Sequence, residues 1–106
     1  LRLIDNGLSF DGIVAASDVL AISAMQALTE RNISVPEDIA VVGYDNIGQS
    51  AHSIPSLTTI DQNIKHGGEI MVDLLLKKLD GGTVHDELTD TKLVIRQSCG
   101  YSLTKA

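Results

Sequence analysis

Two short polar pairs follow apolar runs: Ser17 and Asp18 come after "GIVAA", and Asp45 and Asn46 come after "IAVVGY". A carboxylate beside a hydroxyl and an amide can hold the vicinal hydroxyls of a sugar or a ribose through short, charge-assisted hydrogen bonds. Each pair also has a structural role open to it. Ser17 suits a helix N-cap, Asp18 a first helical turn where the dipole favours an anion, and Asp45 and Asn46 a turn after a strand. Spacing favours the structural role for Asp18 and does not separate the two for Asp45.

Other chemistry is poorly served. Asp18 and Asp45 could form a paired-carboxylate site, but no lysine stands at a third strand end and no phosphate-loop glycine spacing occurs. Ser17 lacks the glycine-flanked elbow of a hydrolase nucleophile. His52, His66 and His85 have no metal-ligand spacing, and all three read as solvated, with His52 on a loop that could reach a crevice rim. The single cysteine, Cys99, can form neither an internal disulfide nor a thiolate cluster; it reads as a small apolar residue and fits a reducing compartment. No enzyme, metal or cofactor is expected.

Composition sets outer bounds. A chain of 106 residues is one domain or a piece of one, and its net charge of −6 comes with scattered Lys and Arg, so no basic stripe could neutralise a run of phosphates. The chain by itself is not expected to bind nucleic acid. Its apolar stretches fall well short of the roughly 20 residues that cross a bilayer. The opening "LRLIDNG" reads as the last turn of a helix stopped by Asn6 and Gly7, which suggests a piece cut from a longer protein.

The polar pairs need elements to hold them. The run from Ile39 to Asn46 has no wet face and reads as a strand covered on both sides, as inside a parallel sheet. A shorter strand is expected over Ile13 to Ala16. Between them, Val19, Ala21, Ile22, Ala24, Met25 and Leu28 recur at helical spacing from Asp18 onward. Strand, helix and strand within some thirty residues form a βαβ unit, so both polar pairs emerge on one edge. Further on, a short helix near Gly48 to His52, an extended segment over Leu57 to Ile60, a long helix from Ile64 to Leu79 and a last strand over Leu93 to Ile95 are expected. Gly67 and Gly68 in the long helix predict close packing against another backbone.

Four phrases, "DGIVAASDVLAISAMQAL", "VPEDIAVVGYDN", "PSLTTIDQN" and "LVIRQSC", together resemble the C-terminal part of the effector-binding core of the lactose-repressor and galactose-repressor (LacI/GalR) transcription regulators. The resemblance implies a parallel-sheet α/β fragment of a periplasmic-binding-protein-like (type I) effector domain. It also implies a small-molecule effector, a sugar or a nucleoside-like compound, that controls operator binding allosterically, and a cytoplasmic regulator that is no membrane protein. Operator DNA would be bound through an N-terminal headpiece outside these residues. Residues 1–60 would belong mostly to one subdomain, 61–97 to its partner, and 98–106 would cross back. Position by position, Asp45 matches an acidic ligand contact, Gln62 a cleft-lining position, and Ser17 a place where many members have asparagine; Asp18 and Asn46 complete the expected set. Without the partner subdomain the apolar stripe of the long helix would seek another copy, giving a homodimer or a domain swap. A transport-type sugar-binding protein is the alternative.

Overall fold

The computed structural model describes residues 6, 7 and 9–104, so the helix end expected at the start of the chain lies outside the described residues. Strand β1 (Gly12–Val14) pairs in parallel with β2 (Ala40–Val42), in the register Gly12 with Ala40 and Val14 with Val42. Helix α1 (Asp18–Glu30) connects them and completes the expected βαβ unit. Ser17 caps the helix in extended conformation, its Oγ accepting the amide of Leu20 at 3.3 Å. At the other end Asn32 adopts φ +58, a conformation that asparagine tolerates better than most side chains.

The core lies between α1 and one face of the sheet. Ala21, Met25 and Leu28 of the helix meet Ile39, Val41 and Leu57, with Phe10, Ile13 and Ile33 packed around them. Two expectations change here. Val19 is 61% exposed and does not join the buried stripe, because the inward arc of α1 is set by Asp18, Ala21, Met25 and Leu28. The sheet is covered on one face only among the described residues: Val41 is fully buried, whereas Val14 is 86% exposed. A single helix packs there, so the residues alternating away from it remain open.

Beyond β2 the chain makes a 3-10 turn at Gly48–Ala51 and returns beside β2, where Thr58 forms a parallel bridge with Val42. Strand β3 (Thr59–Asp61) then pairs antiparallel with β4 (Lys92–Val94), one residue earlier than the expected last strand. Helix α2 (Ile64–Leu79) has the expected limits, with Lys77 and Lys78 in its last turn and Gly81 at φ +81 just beyond. None of its residues is buried, and a Cβ on Gly67 or Gly68 would meet nothing within 4 Å. The close packing expected at these glycines is not found among the described residues. A short helix α3 (Tyr101–Thr104) follows. The radius of gyration is 18.1 Å, against about 13 Å for a compact domain of this length, because α2 stands away from the core.

Candidate functional site

Strand β2 ends in a bend that few side chains accept. Asp45 has φ +123 and Asn46 φ +56, two consecutive non-glycine residues in positive φ. Such a bend persists only where the surroundings fix it. Three backbone amides are pinned in succession: Asp45 donates to the Ile60 carbonyl at 2.9 Å, Asn46 to Thr59 Oγ1 at 3.3 Å, and Ile47 to Asp18 Oδ2 at 2.9 Å.

Asp18 is fully buried, and both of its carboxylate oxygens are occupied from within. Oδ1 accepts the hydroxyl of Thr59, while Oδ2 accepts the Ser50 hydroxyl and the Ile47 amide. Burial pushes its pKa up, but the hydrogen bonds from Ser50, Thr59 and the backbone of Ile47 and Asn46 outweigh it and hold the carboxyl below its ordinary 3.8. Asp18, expected among the ligand contacts, is fully buried with both oxygens engaged, an arrangement that favours its structural role. The residue staples the helix start to the loop after β2 and to β3.

A depressed carboxyl in the folded state contributes stability above the unfolded-state value and loses it as pH falls through the folded value. Acid should therefore weaken the fold as pH drops below about 4, and Asp18→Asn should remove that part of the pH dependence. Urea unfolding midpoints at a series of pH values check this, and equal acid slopes in both proteins would contradict it.

The remaining residues form two connected sets. Gln62 Nε2 donates to Asp45 Oδ1, so the structure joins these two expected residues. Asp45 is half-buried, and its Oδ2 has no hydrogen-bond partner among the described residues. Asn46, by contrast, spends both ends of its amide: Oδ1 accepts Arg96 Nη2 at 2.9 Å, and Nδ2 donates to Asp61 Oδ2 at 3.2 Å. Ser17 stands at the start of α1 with its oxygen engaged by the Leu20 amide. His52, His66 and His85 are exposed, and no group of three or more His, Cys, Asp or Glu side chains comes together among the described residues.

Sequence reasoning missed Arg96, Asp61, Thr59 and Ser50. Arg96 comes two residues after β4, and its guanidinium turns inward, with Nη1 donating to the Leu57 carbonyl at 2.9 Å. A cation directly after an apolar strand was the available signal.

Comparison with known proteins fits this geometry. Residues 3–99 match the periplasmic binding protein-like domain. The transcriptional repressor MelR of Bacillus subtilis is 37% identical over 100 residues, covering 93% of this chain and 29% of the repressor. A lac repressor dimer bound to operator and the anti-inducer ONPF superposes with a TM-score of 0.86 at 37% identity, covering 92% of this chain and 34% of that one. A complex of the transcriptional regulator CelR with cellobiose gives a TM-score of 0.85 at 33% identity, covering 92% and 30%. The chain thus spans about three-tenths of the length of these relatives. With its residues matched almost from end to end and its backbone shared with their cores, the chain belongs to the periplasmic binding protein-like domain family, in the form found in LacI-type transcription regulators.

Proposed function

We propose that this chain is the effector-sensing part of a cytoplasmic transcription regulator, and that it contributes one wall of a cleft for a sugar or a related polyhydroxylated compound. The observation that carries this is the Asp45 carboxylate at the exit of β2, held in a fixed bend with one oxygen unpartnered among the described residues. A carboxylate so placed accepts hydrogen bonds from hydroxyls, the chemistry of a carbohydrate or a ribose. Gln62 orients Asp45 and lines the same wall, and the Ser17 hydroxyl, whose oxygen already serves as the helix cap, has its proton to offer. Asn46 supports the wall through its bonds to Arg96 and Asp61. The kinship with regulators supports a sensing role over a transport role, and a binding role over catalysis.

The division expected from the sequence is proposed here as well: residues 1–60 mostly form one subdomain, 61–97 belong with its partner, and 98–106 cross back. The protruding α2, with Ile64, Met71, Val72, Leu75, Leu76 and Leu79 all more than half exposed, supports it. Burying each such side chain contributes about 1.5 to 3 kcal/mol, so the isolated chain should dimerise, through α2 exchange or a paired helix face. Analytical ultracentrifugation should find a dimer, and a well-folded monomer at high concentration would contradict this.

In the full-length protein the effector acts by favouring one arrangement of the two subdomains, which changes operator affinity. Fluorescence anisotropy with labelled operator, titrated with disaccharides and nucleosides, should show one compound changing operator affinity about 5- to 150-fold. A compound that binds tightly while leaving operator affinity unchanged would overturn the regulatory reading.

A further inference from the structure

We infer that Arg96 is a positioning residue for the ligand carboxylate, acting on Asp45 through Asn46; the inference rests on the reading of Asp45 as a ligand contact. Arg96 follows β4, far along the chain from the bend, yet it binds three separate groups around it. Its backbone amide donates to Thr58 Oγ1 at 2.8 Å, Nη1 to the Leu57 carbonyl at 2.9 Å, and Nη2 to Asn46 Oδ1 at 2.9 Å. The guanidinium fork suits this task, since two fixed donors on one plane hold a backbone carbonyl and a side-chain amide at once.

The Asn46 amide passes the constraint onward to Asp61 Oδ2, and Asp61 Oδ1 accepts the amide of Asn63, the residue before α2. Arg96, Asn46 and Asp61 thus form a continuous clamp across the segment after β2. Asp45 lies directly before the clamped residue at φ +123, a conformation with little intrinsic preference for aspartate. Gln62 fixes only the tip of its side chain. The direction in which Asp45 leaves the backbone is set by the pinned amides of Asp45 and Asn46, and the Asn46 side chain, held between Arg96 and Asp61, adds a further hold on the adjoining peptide.

The test uses hydrogen exchange in the full-length protein, read for peptides spanning Asp45 to Ile47 and, as a control, for α1. Arg96→Leu and Asn46→Gly should each speed exchange at Asp45 to Ile47 at least tenfold, leave α1 unchanged, and give no further increase when combined. Glycine accepts the left-handed conformation, so its effect isolates the lost side-chain bridge. Arg96→Lys keeps the charge but loses the fork, and should restore part of the protection; it also serves if Arg96→Leu fails to fold. Unchanged exchange at Asp45 to Ile47 in folded variants, or equal acceleration in α1, overturns the inference and leaves the ligand reading of Asp45 intact. If Asp45→Ala binds every sugar and nucleoside tested as wild type does, the ligand reading fails, and the role of Arg96 in ligand binding falls with it whatever the exchange shows.

Discussion

Gly43→Ala should destabilise the fold by about 3 kcal/mol, the upper end of typical overpacking costs. A Cβ at Gly43 would lie 2.3 Å from Asp18 Oδ1, 2.9 Å from Leu57 Cδ2 and 3.3 Å from Ala21 Cβ. Leu57 and Ala21 are fully buried, and Asp18 is held by three donors, so none of the three can move freely. Asp18→Ala should be at least as damaging, about 3 to 5 kcal/mol, because it strands the Ser50 and Thr59 hydroxyls and the Ile47 amide without their acceptor. The two changes should not add. With the carboxylate gone, an alanine at 43 meets mainly Leu57, so its cost in the Asp18→Ala background should fall by 1 kcal/mol or more, about the coupling seen between residues in contact. Urea melts of the four proteins measure this, and strict additivity would show that the clash is not with Asp18.

Asp45→Ala should have the opposite profile, with a small change in stability and a large one in ligand binding. Asp45 is half-buried and gives up one side-chain hydrogen bond, that from Gln62. A hydrogen bond to a charged group contributes about 1.5 to 3 kcal/mol, so losing the carboxylate should weaken the effector about 10- to 100-fold. Alanine also removes whatever tolerance the aspartate has for φ +123, a cost that falls on stability and not on the ligand. Asp45→Asn keeps the shape without the charge and should lie between wild type and Asp45→Ala.

Asp18 and Asp45 illustrate what could be read from the sequence and what could not. The βαβ unit, the Ser17 cap and the limits of α2 follow from local rules, because helical spacing and capping involve neighbours in the chain. The edge on which both aspartates emerge followed from parallel topology. Their different fates did not. A first-turn aspartate looks the same in sequence whether it meets water or three buried donors, and the donors to Asp18 arrive from 29 to 41 residues away. Arg96 was hidden in the same way, its partner Asn46 being 50 residues distant. Gly43 gave no local sign of its role, since the need for a missing Cβ arises only when α1 and the segment at Leu57 close around it.

Whether Asp45 touches the effector is the central question. The direct measurement is thermal unfolding of the full-length protein, wild type and Asp45→Ala, across a panel of disaccharides and nucleosides. A true effector at 100 times its Kd adds about 2.7 kcal/mol to the stability of the wild type. For Asp45→Ala at the same concentration that gain should fall to about half or less, given the 10- to 100-fold loss expected above. A compound that stabilises both proteins equally would contradict the assignment of Asp45, and with it the reading of this strand exit as the wall of a ligand cleft.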